Sequence, residues 1–300
     1  MRPAILNLNK PAGTTSFAAV RRLRDLTGAR RVGHAGTLDP LATGVLPILF
    51  EGATRLADYA LQLPKTYIAD IHLGFESATD DAEAPPVAVA DSSRLPPEEV
   101  AAELGRFVGR ITQQPPAYSA VKVLGQRSYR RARRGEEPRP SARVVEIHSA
   151  ALLDFTPGAE AVATVEIVCG SGTYLRSLAR DLGRALGVGG YLGRLVRTGY
   201  GSLRLEDAVG LEELVDAATV EARLLPPERI LPEMERVRLT VEQEAMVRQG
   251  RAVRVIPDPG PGPLRAHDRE GRLVALGHAD PLRHSFVPEK VLPANGALSD

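Results

Sequence analysis

Residues 160–187 read EAVATVEIVCGSGTYLRSLARDLGRALG, and two periods meet inside them. Val162, Thr164, Glu166 and Val168 alternate with Val165 and Ile167, as side chains do along a strand. Gly170, Ser171 and Gly172 turn the chain. Beyond the turn, Leu175, Leu178, Leu182 and Leu186 recur at helical spacing. Arg176, Arg180 and Arg184 form an i, i+4, i+8 row on another face. A strand that feeds a helix through a tight turn sets the pattern for the rest of the chain.

Working outward, AILNLNK (4–10) reads as a strand and KPAGTTS as a turn. SFAAVRRLRDLTG (16–28) reads as a helix with Ser16 as N-cap. Its apolar stripe is Phe17, Val20, Leu23 and Leu26, and Gly28 is its C-terminal cap. VLPILF (45–50) reads as buried and TYIADIHLG (66–74) as a strand. Glu76 to Pro97 reads as an acidic loop, and PPEEVAAELGRFVG (96–109) as a helix with Pro in its first turn. Residues 113–149 are the most basic stretch, an irregular arm that ends in a strand near Arg143. LGRLVRTGYGSLRL (192–205) is strand-like and LEELVDAATVEARLL (211–225) helical. This order predicts an α+β fold with a mixed, largely antiparallel sheet and flanking helices. A Pro-rich break at 224–237 places a domain boundary near Glu233 to Arg236. It divides the chain into 1–233 and a small β-rich unit, 234–300.

Composition narrows the function. The chain has 300 residues, a net charge of +1 and one cysteine, Cys169, which excludes an intrachain disulfide and a multi-cysteine zinc site. The six histidines show no paired ligand spacing, so no metal is expected. No apolar run of about 18 residues is present and no secretion signal is read, so a cytoplasmic protein with no membrane partner is expected. Charge is segregated along the chain. Glu76 to Glu103 holds eight acids against Arg94. Lys122 to Arg143 holds eight bases against two acids, and Gly172 to Arg204 six Arg against Asp181. An Arg-rich solvated surface and a polyanion-binding face are equally consistent with this.

The stretch RRVGHAGTLDPLATGVLP (30–47) holds one acid, Asp39. Leu-Asp-Pro is ordinary turn chemistry, and spacing alone favours a turn residue. The loop is nonetheless long, Gly-rich and flanked by apolar residues. A carboxylate partly dehydrated there would need a cation, and the Arg of GTYLRS, Arg176, is a candidate. The loop lacks the Gly-Lys-Ser/Thr of a phosphate loop, and GSG lacks dinucleotide spacing, so no nucleotide cofactor is expected.

GHAGTLDPLATGVLP (33–47) resembles the catalytic loop of the TruB family of tRNA pseudouridine synthases. NKPAGTTS (9–16), LPKTYIADIHLGFESATDD (63–81), QQPPAYSAVKVLGQRSYRRARRG (113–135), CGSGTYLRSLARDLG (169–183) and LGRLVRTGYGSL (192–203) resemble five further motifs of that family, in order. GHADPLRHSFVPEKVL (277–292) is similar to its C-terminal PUA RNA-binding domain. Two departures are Ser171, where the family often has Lys, and the loop PDPGPGP (257–263).

The resemblance implies a pseudouridine synthase fold and conversion of uridine-55 in the T-loop of tRNA to pseudouridine, without cofactor or metal, by a monomer. Residue by residue, it implies that Asp39 is the nucleophile, that Arg176 pairs with it, and that Tyr67 stacks on the flipped uracil and serves as a base. Tyr174 and Leu195 would wall the pocket, His34 would fill the vacated stack, and Lys10 would support Tyr67 and the pocket wall. Arg127, Arg130, Arg131, Arg133 and Arg134 would grip phosphate in the T-arm. Spacing alone reads these as core, turn or surface residues. Two alternatives remain: an RNA-folding module without catalysis, and a hydrolase that uses Asp39 and would need a second carboxylate or His.

Overall fold

The computed structural model describes residues 1–118, 122–123, 126–127, 140–231, 234–255, 260 and 262–293. The first strands are β1 (Ala4–Lys10), β2 (Val32–His34), β3 (Thr43–Phe50) and β4 (Lys65–Leu73). A short ribbon follows, β5 (Phe75–Glu76) and β6 (Val87–Ala88), then β7 (Gly109–Gln113) and a second ribbon, β8 (Lys122–Val123) and β9 (Gln126–Arg127). Next in chain order are β10 (Arg143–Thr156), β11 (Ala161–Cys169), β12 (Gly190–Tyr200), β13 (Leu203–Arg204) and β14 (Val209–Gly210). Helices α1 (Ser16–Thr27), α2 (Ala57–Gln62), α3 (Pro97–Gly105) and α4 (Leu175–Ala185) are interleaved with them. Among the described residues, ten of these strands make one sheet in the order β14-β1-β3-β12-β4-β11-β10-β7, with β13 on β12 and β2 on β3. It is mixed. β1 runs parallel to β14 and β12 parallel to β3, and the other pairs are antiparallel.

The quoted stretch forms as its periods require. In β11, Ala161, Ala163, Val165, Ile167 and Cys169 are buried and the residues between them half-buried. In α4, Leu175, Leu178 and Leu182 pack into the main core with the sheet. β3 is buried along nearly its whole length, as VLPILF predicts.

Two expectations need correction. The N-cap of α1 is Thr15, whose hydroxyl accepts from Ala18 N at 3.0 Å, and not Ser16. The buried stripe is therefore Ser16, Ala19, Val20 and Leu23, and Phe17 faces solvent at 72% exposure. Residues 211–225 do not form one helix. A 3-10 turn (Leu211–Glu213) is followed by a short helix, α5 (Ala217–Glu221). Asp216 stops the chain from continuing because it caps α5, accepting from Thr219 N at 2.8 Å, and an N-cap residue is not itself helical.

The C-terminal strands β15 (Glu235–Arg238), β16 (Val253–Arg254), β17 (Pro263–His267), β18 (Leu273–Asp280) and β19 (Ser285–Val291) form a separate five-stranded sheet, with helix α6 (Val241–Arg248) beside it. This β-rich unit packs on the first sheet. Leu273, Leu276 and Leu292 share a core with Ile5, Val45, Leu56 and Tyr200. Tyr59 donates to Glu289 Oε2 at 2.5 Å, and Lys290 pairs with Asp58 at 3.1 Å. No helix among the described residues is long and apolar enough to cross a membrane.

Candidate active site

The site lies where β12 changes partner type, parallel to β3 on one side and antiparallel to β4 on the other. Register puts Arg197 opposite Gly44 of β3 and opposite Tyr67 of β4, and Leu195 opposite Ala69. A bulge between Arg197 and Gly199 bends the strand here. Residues 35–42 form an irregular loop that enters β3 and carries Asp39.

An irregular loop has no ladder to satisfy its backbone, so buried side chains do so. Ser16 Oγ accepts from Leu38 N at 2.9 Å and donates to Leu38 O at 3.0 Å. The Lys10 ammonium donates to Pro11 O, Thr14 O and Pro40 O at 2.8, 2.7 and 3.3 Å. Gly13 N donates to Pro40 O, and Ala42 N to Asp39 O, at 2.9 and 3.1 Å. Arg197 donates from Nε to Val45 O at 2.6 Å and from Nη2 to Gly36 O at 3.1 Å. Lys10 thus grips the residue after Asp39. Its hydrogen bonds go to the loop and the preceding turn. Burial pulls its pKa down to about 8, against the attraction of Asp39.

Asp39 and Arg176 meet. Arg176 Nε lies 3.0 Å from Asp39 Oδ2, and the arginine side chain is 7% exposed against 36% for the aspartate. The Nε–H forms no hydrogen bond, so this contact is ionic and not aimed. Arg176 Nη1 also lies 3.3 Å from Asp81 Oδ2 and donates to Thr79 O at 3.3 Å. Sequence reasoning missed Asp81. It is 1% exposed, and its Oδ1 accepts from Thr79 Oγ1 at 2.5 Å and from Glu83 N at 3.0 Å.

The arginine row of α4 is not a free basic face. Arg180 pairs with Asp80 and Asp181, each at 2.9 Å, and Arg184 approaches Glu76 at 3.9 Å. Acids that sit a hundred residues away in the sequence fold onto this helix and cancel much of the segregation of charge. The root of the basic arm is tied to the same helix. Gln114 O accepts from Ser177 Oγ at 2.8 Å and Arg180 Nη2 at 2.9 Å. The Gln113 amide bonds Tyr174 N and O at 2.8 and 3.1 Å.

Tyr67 is 8% exposed, and burial is the main cause that raises its pKa, with Arg197 acting against it. Leu195 is buried in the same core. Tyr174 is half-buried, with the Arg143 guanidinium 5.5 Å from its ring centroid. His34 lies in β2 with a buried Nδ1 that has no hydrogen-bond partner. Burial, then Arg197, lowers its pKa, which favours the neutral ring. Arg127 is described in its backbone only. Arg130, Arg131, Arg133 and Arg134 lie outside the described residues. Among those described, no group of three His, Cys, Asp or Glu is disposed to hold a metal ion.

A family model described as the TruB family pseudouridylate synthase N-terminal domain matches residues 24–175. A second, the tRNA pseudouridylate synthase B C-terminal domain, matches residues 176–236. The chain is 47% identical to tRNA pseudouridine synthase B of Synechococcus elongatus over 276 residues, 91% of this chain and 92% of that one. It is 47% identical to the same enzyme of Symbiobacterium thermophilum, covering 82% and 81%. It is 41% identical to that of Mycobacterium ulcerans, covering 91% and 90%. Among solved structures, the fold matches a chain of an H/ACA RNP bound to a substrate RNA containing 2'-deoxyuridine, with a TM-score of 0.73 at 24% identity, covering 98% of this chain and 86% of that one. It also matches a chain of a Cbf5-Nop10-Gar1 complex, with a TM-score of 0.70 at 24% identity, covering 97% and 83%.

The α+β sheet and these likenesses define a pseudouridine synthase, an isomerase. Within that class, the chain belongs to the TruB family.

Proposed function

We propose that this enzyme converts uridine-55 in the T-loop of tRNA to pseudouridine, with Asp39 as its nucleophile. The observation that carries it is the 3.0 Å contact between Asp39 and Arg176. Asp39 is more than a third exposed and, among the described residues, pairs with one cation, so one face of its carboxylate is open to a substrate. The relatives' name, tRNA pseudouridine synthase B, supports tRNA as the substrate.

The reaction breaks the bond from C1′ to N1 of uracil and forms one from C1′ to C5. C5 loses a proton and N1 gains one, so the change is an isomerisation that balances without a cofactor. Asp39 acts either at C1′, at C6 of the base, or in forming a glycal, and each route requires a flipped uridine in the pocket. Tyr67 supplies the stacking face, and as a phenolate it takes the C5 proton; burial disfavours that form and the Arg197 charge favours it. Tyr174 and Leu195 wall the pocket. His34, neutral and with an unfilled Nδ1, takes the place of the extruded base. Arg127, Arg130, Arg131, Arg133 and Arg134 contact T-arm phosphates, and residues 234–300 form a PUA-like RNA-binding domain beside the catalytic domain, 1–233. The enzyme works as a cytoplasmic monomer.

A hydrolase would need a second group free to activate water. The second carboxylate on Arg176, Asp81, is buried and bonded on both oxygens.

The test is to map pseudouridine in a tRNA transcript after incubation with the protein and with Asp39→Asn. Pseudouridine at position 55, lost in the variant, is expected. Release of free uracil, or wild-type turnover by Asp39→Asn, defeats the reading. Changing Arg130, Arg131, Arg133 and Arg134 to Ala should weaken tRNA binding and flatten its salt dependence. Unchanged affinity from low to high salt would remove the arm from the interface.

A further inference from the structure

We propose that Arg197 is a positioning residue that sets the Asp39 loop and the Tyr67 ring in one register. The inference rests on Asp39 and Tyr67 being reacting residues.

Arg197 is 1% exposed and among the largest fully buried side chains of the protein. Its two loop contacts bracket Asp39: Gly36 O lies before it and Val45 O after it. A guanidinium is planar, and its donors have fixed separations. Holding both carbonyls with one fork therefore fixes the distance between the two ends of the loop. The same group faces two aromatic rings. Its central carbon lies 6.0 Å from the Tyr67 centroid and 5.0 Å from that of Tyr200. Tyr200 is itself fixed, donating to Ala60 O at 2.9 Å.

The backbone is closely fitted here as well. Gly44 has φ +101°, and a Cβ there would lie 2.2 Å from the backbone O of Arg197, so β3 meets β12 at the main chain of this residue. Gly36 has φ +71°, and its Cβ would crowd the Tyr200 ring at 3.1 Å and Arg197 Nη1 at 3.5 Å. Both ends of the loop come this near because they carry no side chain.

Stability alone does not account for such a group. Among the described residues, Arg197 forms no ion pair, whereas Arg176, Arg180 and Arg194 each pair with a carboxylate. Burying an unpaired cation is costly, and a well-packed apolar residue would avoid that cost. What Arg197 supplies in return is geometry, together with a fixed positive charge below the pocket. That charge opposes the rise in the Tyr67 pKa that burial causes.

The test uses Arg197→Lys and Arg197→Met in the full chain. It measures single-turnover isomerisation of tRNA, tRNA affinity, and hydrogen exchange of the loop amides. The lysine keeps the charge but cannot span both carbonyls. Both variants should lose about 100-fold in single-turnover rate, the scale expected when reacting groups shift by about 1 Å. Affinity should stay within about threefold, a change of under 1 kcal/mol. Amides 36–45 should exchange faster, while those of the C-terminal sheet keep their protection. A wild-type rate in both variants overturns the proposal, as does a rate loss matched by an equal loss of affinity. A lysine variant too unstable to isolate also overturns it, because the role would then be structural. Asp39→Asn is run beside them. If it alone is inactive, only this inference fails; if it turns over at the wild-type rate, the reading of Asp39 fails.

Discussion

Two irregular segments deliver a carboxylate to Arg176, and they do so differently. The 35–42 loop presents Asp39 more than a third exposed, with the arginine as its one ion-pair partner among the described residues. The Ser77–Asp81 turn presents Asp81 fully buried, bonded by Thr79 and Glu83 as well as by Arg176. A carboxylate with both oxygens engaged in a dry site holds its neighbours in place. A carboxylate that is aimed by rigid backbone but left partly unengaged is available to react. One arginine joins the two kinds, so the buried acid can fix the cation that the exposed acid meets.

The contrast breaks most sharply at Asp39. Asp39→Asn should lower the single-turnover rate by about 10⁴-fold or more, the scale for a lost nucleophile. Its stability should stay within about 0.5 kcal/mol of wild type, because the residue is part-exposed and its loop is held by other groups. Denaturant unfolding beside the rate measurement checks both halves.

Arg176→Gln touches both segments. The rate should fall by about 10²–10³-fold, and stability by about 3–5 kcal/mol because Asp81 stays buried without its cation. A rate loss without destabilisation would mean that Asp81 does not depend on this arginine.

Asp81→Asn sharpens the comparison from the other side. It should cost about 1–3 kcal/mol of stability and about 10- to 100-fold in rate, through a displaced Arg176. If it matched Asp39→Asn in rate with no change in stability, the division between holding and reacting would be wrong.

The smallest effect is one of pH. Lys10 holds the Asp39 loop with a pKa lowered from 10.5 to about 8. Between pH 8 and 10.5 the unfolded chain then binds more protons at this residue than the folded one. Its contribution to stability therefore rises with pH across that window, and below pH 8 it is flat. In Lys10→Met that contribution disappears, so the melting temperature of the variant should rise less from pH 8 to 10 than that of wild type.

What the sequence disclosed depended on whether a residue sat in periodic backbone. β11 and α4 were legible because alternation and helical spacing are local patterns. Asp39 was not, because a loop has no period, and only its resemblance to a family motif raised it above a turn residue. Asp81 was hidden in an acidic run that reads as solvated loop, although the fold sets it against an arginine 95 positions away. Arg197 carries a readable signal. It shares the buried face of an alternating strand with Leu195 and Gly199, and a charge on that face calls for a reason. Lys65, buried in line with Tyr67 on β4, carries the same mark. The α1 cap was misplaced by one residue because Thr15 and Ser16 are both good caps, and tertiary contact with Leu38 decided between them.

One last feature concerns the ends of the basic arm. Gln113 pairs with Arg143 across β7 and β10, and the Gln114 amide donates to Pro140 O. The chain thus leaves the sheet and returns to it at adjacent points, both fastened to α4 through Gln113 and Gln114. Whatever lies between these points can be shortened, lengthened or exchanged without altering the path of the strands on either side. Residues 115–139, the stretch proposed to contact RNA, therefore behave as a replaceable cartridge: their sequence can be edited while the sheet and α4 next door keep their geometry.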